Sequence, residues 1–141
     1  VVLNDEHRRC FAYHFKKLLP GTIDKKVLLQ RLQAEAPWDK IQGRGPPRFT
    51  CWYVRGECEC DYTYGRERIP PVKDRVKYMR LMEELTAAVF SNIWPEVEKD
   101  QWPNCANLNL YQSGKHSLNW HADDELLFRG LETDCCIVSL S

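Results

Sequence analysis

The sequence predicts an α+β fold, with helices packed on one side of a largely antiparallel sheet. Three observations carry that reading. Two stretches repeat apolar residues at helical spacing, a Gly- and Pro-punctuated region between them gathers β-branched and aromatic residues into strand-sized pieces, and a later stretch alternates with period two. Helix, hairpin, helix, then strands is the order of an α+β fold. The chain has 141 residues, which suits one domain with a core of ordinary size.

The first helix is expected within "LPGTIDKKVLLQRLQAEAPW" (19–38), after a turn. Thr22 or Asp24 can cap its start, Ile23, Val27 and the Leu28/Leu32 pair set the helical period, and Pro37 ends it. Residues 39–71 change character. They read as a loop to Pro47, a strand over Arg48–Val54, a hairpin tip and a second short strand near Tyr62. A second helix is expected over Val72–Ile93, with Val72, Val76, Met79, Met82, Thr86, Val89 and Ile93 as its core stripe and Trp94-Pro95 closing it. "CANLNLYQ" (105–112) alternates as a strand. Ala106, Leu108 and Leu110 share one face, and Asn107, Asn109 and Tyr111 the other. "SGK" (113–115) is a turn, and "CCIVSLS" (135–141) has the composition of a buried strand. No repeat or low-complexity segment interrupts the pattern.

Composition is globular, at 43% hydrophobic and 28% charged residues. Lys+Arg and Asp+Glu stand at 20 each, so no basic excess favours tight nonspecific nucleic-acid binding, although a local basic groove is compatible with the balance. No apolar run approaches the roughly 18 residues of a membrane span, so no membrane association is expected. The opening "VVLNDEHRRC" reads as neither signal nor transit peptide. Seven cysteines at irregular spacing read as reduced thiols of an intracellular protein, nuclear or cytoplasmic. Cys58-Glu59-Cys60 is a C-x-C with Cys51 seven residues upstream, which could be half a zinc site, but no second C-x-x-C or H-x-x-x-H pair completes it, and the favoured reading is thiols on a β-hairpin.

The densest chemistry lies in "NLYQSGKHSLNWHADDE" (109–125). On a strand, His121 and Asp123 would point to one face and bring an imidazole nitrogen and a carboxylate oxygen to one point. That is two thirds of the His/His/carboxylate set that holds non-haem Fe(II) with open positions. An incidental polar strand end is the plainer alternative. Asn109 and Tyr111 form a second i, i+2 pair, which the 113–115 turn would bring back near His121. Their neutral hydrogen-bonding groups suit a carboxylate-bearing small molecule, or else a polar cross-strand ladder.

These residues, with "PPRFTCWY" (46–53) and "DYTYG" (61–65) upstream, resemble the AlkB family of Fe(II)- and 2-oxoglutarate-dependent dioxygenases. The match runs from about Trp38 to Ser141. It resembles the nucleic-acid-repair branch of the second and third human AlkB homologues rather than the RNA-adenine demethylase branch. The resemblance implies that the chain is the first part of a double-stranded β-helix (jelly roll), with the N-terminal helices and hairpin packed on it. It implies iron ligation by His121 and Asp123 and 2-oxoglutarate binding by Asn109 and Tyr111. Tyr62 and Tyr64 would lie over and beside a base flipped out of its helix, with Glu125 at the base's polar edge. A carboxylate there would favour a cationic N-methylated base over a neutral one. For Asp124 the family offers no firm role. The implied cofactors are Fe(II), 2-oxoglutarate and O2, and the implied partner is alkylated DNA or RNA. The implied reaction is oxidative dealkylation, which releases the methyl group as formaldehyde, with 1-methyladenine or 3-methylcytosine as first candidates. Arg48, Arg55, Arg66 and Arg68 would be placed to contact phosphates, or would form a solvated face.

The sequence offers two further histidines before the strands, His7 and His14, and His116 in or just after a turn. None stands where the family places its third iron ligand, downstream of the H-x-D. The family's 2-oxoglutarate arginines also lie downstream. The expectation is therefore an N-terminal part of the dioxygenase domain that does not turn over by itself and, with open strand edges, is poorly soluble in isolation. A nucleic-acid-binding module without catalysis, and an interaction domain with an incidental H-x-D, are the alternatives. Oligomeric state is not legible.

Overall fold

The structure, a computed structural model, describes residues 1–7, 10–40, 48–64, 67–118, 120–123, 125–130 and 132–141, with the backbone alone at positions 40, 64 and 67. The loop expected up to Pro47, Arg66, Asp124 and the side chain of Tyr64 lie outside what is described.

The chain opens on an antiparallel hairpin, β1 (Leu3–Asp5) with β2 (Cys10–Ala12), where the sequence reading had placed no element. Helix α1 follows at Lys25–Glu35. Asp24 caps it, its Oδ1 accepting from the backbone N–H groups of Lys26 (2.8 Å) and Val27 (3.3 Å). Its end is also local. Ala36 precedes Pro37 and is extended (φ −71°, ψ 136°), the conformation that a following proline imposes. Helix α2 spans Val76–Ile93. It starts four residues later than expected and stops at Trp94, before Pro95.

The middle layer is a three-stranded antiparallel sheet in the order β3 (Asp39–Lys40), β4 (Phe49–Val54), β7 (Cys105–Leu110). Between β4 and α2 lies a separate hairpin, β5 (Tyr62–Tyr64) with β6 (Glu67–Ile69). The strand at Tyr62 thus pairs with β6 and not, as expected, with β4. The 135–141 segment is a second correction. It forms no strand and is mostly exposed, with Val138 packing on a helix-side cluster. Apolar composition alone does not make a strand: a strand needs a paired neighbour, and this segment has none among the described residues.

β4 is the structural centre, because both its faces are covered. Cys51 and Tyr53 pack with Ala106 and Leu108 of β7 against Tyr78 and Met82 of α2. On the opposite face Trp52 and Val54 pack with Cys105 and with Tyr62 of β5. The alternation expected for β7 is observed, since Thr50, Trp52 and Val54 stand opposite Asn109, Asn107 and Cys105. The stripe of α2 is offset from expectation. Its buried residues are Tyr78, Leu81, Met82, Val89 and Phe90, while Val76 is exposed. The larger side chains of Tyr78 and Leu81 set the rotation of the helix. Val27 of α1 is likewise exposed. A third cluster joins the end of α2 to the loop before β7, where Phe90 stacks on Trp102 at 5.7 Å. The described part is α+β with short antiparallel strands. None of its described helices is long and apolar enough to cross a membrane.

Candidate functional site

The sheet face away from α2 sets the polar side chains of Thr50, Asn107 and Asn109 beside the apolar cluster of Trp52, Val54 and Tyr62. Thr50 Oγ1 meets Asn107 Oδ1 at 2.9 Å and also donates to Leu108 O at 2.9 Å. Asn109 pairs with Thr50 in register, and its Oδ1 is buried without a described hydrogen-bond partner. Tyr111 lies just beyond the strand and is exposed. The expected turn closes at Ser113, whose carbonyl accepts from His116 N at 3.0 Å. The His116 ring is used inside this turn, where Nδ1 accepts from Gln112 N at 3.3 Å.

His121 and Asp123 lie in irregular backbone, not on the strand the sequence suggested. Their side chains meet all the same, His121 Nε2 standing 3.3 Å from Asp123 Oδ1, with both partly open to solvent. Two donors about 2.1 Å from one ion and at a right angle to each other stand about 3.0 Å apart. A small adjustment would therefore let this pair hold one divalent cation. An imidazole nitrogen with a carboxylate oxygen suits Fe(II) or Mn(II). Among the described residues no group of three His, Cys, Asp or Glu side chains forms a metal site.

Tyr62 and Glu125, 63 positions apart, also come together: the Tyr62 hydroxyl donates to Glu125 Oε1 at 2.6 Å. Burial, then the Glu125 hydrogen bond and charge, raise the Tyr62 phenol above its ordinary value. Arg48 opposes the shift and Asp123 adds to it, so all four groups share one electrostatic neighbourhood. Glu125 Oε2 is buried and has no described hydrogen-bond partner. The Tyr62 ring is 5% exposed and stacks on Trp52 at 5.0 Å. One face of the ring is thus taken by Trp52, and its hydroxyl is turned to Glu125.

The arginine expectations change too. Arg48 is 5% exposed, buried beside the Tyr62 neighbourhood rather than facing a phosphate backbone. Arg55 donates to the carbonyls of Lys99 (2.6 Å) and Trp102 (3.2 Å), and Arg68 pairs with Asp61. Cys58 and Cys60 are joined in a disulfide, against the expectation of reduced thiols there, while Cys10, Cys51, Cys105, Cys135 and Cys136 are free. Trp52 is the site residue that the sequence reading passed over. Its signal was available: an aromatic on the same strand face as Thr50, two residues along.

No protein-family model matches the chain. It is similar to the alpha-ketoglutarate-dependent dioxygenase alkB homolog 3 of Homo sapiens, 30% identical over 121 residues, covering 77% of this chain and 36% of the relative. The protein of the same name from Rattus norvegicus is 29% identical over 127 residues, covering 77% of this chain and 35% of the relative. That from Mus musculus is 28% identical over 127 residues, covering 77% and 36%. The chain thus spans about a third of the length of the curated relatives it matches.

Proposed function

The chain is related to the AlkB-like family, and from that relationship we propose that it carries the metal-binding and base-facing part of a 2-oxoglutarate-dependent dioxygenase that demethylates nucleic-acid bases. The observation that best supports the reading is the pairing of His121 Nε2 with Asp123 Oδ1 at 3.3 Å, in the same electrostatic neighbourhood as the Tyr62–Glu125 hydrogen bond. These atoms of His121 and Asp123 would hold Fe(II), which with 2-oxoglutarate and O2 supplies the oxidation of an N-linked methyl group. Asn109 and Tyr111 would hold the 2-oxoglutarate. A half-turn of the Asn109 carboxamide puts an N–H donor where its buried oxygen now lies, and the Tyr111 hydroxyl supplies a second donor.

The remaining residues would receive the substrate, alkylated DNA or RNA. Tyr62 orients Glu125 through its hydroxyl, and Oε2 of that carboxylate, buried with no described hydrogen-bond partner, would face the flipped base. A negative oxygen in a buried setting favours a cationic base such as 1-methyladenine or 3-methylcytosine over its neutral parent. Tyr64, on the same strand as Tyr62, would stack beside the base. The jelly-roll architecture of the family belongs to this proposal as the frame for the site.

The test is turnover by the full-length protein carrying these residues, supplied with Fe(II), 2-oxoglutarate and a single-stranded oligonucleotide bearing one 3-methylcytosine. Succinate and formaldehyde are expected together, and neither is expected from His121→Ala. Product release that survives His121→Ala contradicts the assignment, and a metal-loaded wild type that releases no formaldehyde contradicts the substrate class.

A further inference from the structure

The β5–β6 hairpin forms its own two-stranded sheet, and no strand pairing among the described residues ties it to the central sheet. Tyr62 nevertheless has to be fixed for its hydroxyl to reach Glu125 at 2.6 Å. Trp52, in the middle of β4 and 1% exposed, meets that requirement at two points. Its ring stacks on Tyr62, with centroids 5.0 Å apart and planes at 26°. Its indole Nε1–H donates to the carbonyl of Cys60 at 2.8 Å, two residues before Tyr62 on the same chain segment. One side chain thus holds both the ring of Tyr62 and the backbone that leads into it. The central strand meets the hairpin through side chains in place of a backbone ladder, Trp52 holding Tyr62 and Cys60 directly with Val54 in the same cluster.

We propose that Trp52 is a positioning residue of the candidate site: it aligns Tyr62, and through Tyr62 the Glu125 carboxylate, toward the substrate base. The proposal rests on the functional reading above for the base. The alignment of Tyr62 on Glu125 stands or falls separately. Trp52 touches neither metal nor substrate in this account. A residue that only filled the core would be replaceable by any apolar side chain that keeps the protein folded. Here, loss of the indole N–H and of the stacked ring must move Tyr62.

The experiment uses the full-length protein with Trp52→Leu, and with Trp52→Phe, which retains an aromatic ring and covers the case in which the leucine variant does not fold. A crystal structure of the folded variant gives the first readout. The Tyr62 hydroxyl is expected to have left Glu125, and a hydrogen bond retained at its present length would overturn the proposal, whatever the substrate. The second readout is the ratio of affinities for a 3-methylcytosine oligonucleotide and its cytosine parent. Trp52→Leu is expected to lower it about threefold to tenfold, the worth of one aromatic stack. Adding Tyr62→Phe should lower it no further, because both substitutions act through the same carboxylate. Independent, multiplying effects of the two substitutions would overturn the proposal. A wild type that does not discriminate between the two oligonucleotides would refute the functional reading instead, and the crystal structure would still decide the role of Trp52.

Discussion

At Tyr62 a buried aromatic ring carries one polar atom, and that atom is spent on Glu125. Removing it in Tyr62→Phe leaves a carboxylate oxygen without its donor and should cost about 1–2 kcal/mol of stability, read by urea denaturation at neutral pH. The pH dependence has a definite sign. Burial and the Glu125 bond raise the Tyr62 phenol above the ordinary 10.0. The folded state therefore holds this proton more tightly than the unfolded state. Its contribution is complete below about pH 10 and is lost as pH rises from there toward the folded value, at no more than about 1.4 kcal/mol per pH unit. Wild type should lose stability more steeply than Tyr62→Phe between pH 10 and 11. Equal slopes would contradict the buried, Glu125-bonded hydroxyl. Tyr53 and Tyr78 shift in the same direction, mainly through burial, and are common to both proteins, so they cancel in the comparison.

The elements differ in what stabilises them. Helix α1 contains no fully buried residue; the Asp24 cap fixes its start, Leu32 packs on the first core cluster and Arg31 pairs with Glu84 of α2. Helix α2 depends on its buried face, with Tyr78 and Leu81 fully enclosed. Asp24→Ala should therefore cost about 1 kcal/mol, and Leu81→Ala about 2–5 kcal/mol through the cavity it leaves. Thermal or urea unfolding of the two variants checks the order, and a larger loss for Asp24→Ala would contradict it. The same contrast explains what could be read in the sequence. The start and stop of α1 are written in neighbouring residues, Asp24 and Pro37, so they were legible. The alternation of 105–110 was legible because a strand face repeats every second residue. The pairing of strands was not. β4 chooses β7, with Thr50 meeting Asn107 across 57 positions, and β5 chooses β6, and no local pattern states either choice. Residues 135–141 look like a strand by composition and have no described partner. His121 and Asp123 meet without the strand that was meant to bring them together, so the spacing marked two side chains that do come close, by another route.

Across the whole molecule, one sheet divides the labour. Its helix face packs against α2 and makes the core, while its other face carries Trp52 and Asn109, with Tyr62 of the β5–β6 hairpin packed against Trp52. Glu125, from the segment after β7, closes on that hairpin, and His121 and Asp123 precede it within four residues. The family resemblance was legible because these residues keep their order along the chain. The buried state of Tyr62 and Arg48 was not, since it depends on which strands pair. The claim on which the functional account turns is that His121 and Asp123 hold a metal ion. The direct measurement is an anaerobic Mn(II) or Fe(II) titration of the full-length protein, followed by calorimetry or electron paramagnetic resonance. One tight site is predicted in the wild type, with affinity weakened at least about tenfold in His121→Ala and in Asp123→Ala. Equal affinity in the wild type and both variants would contradict the account.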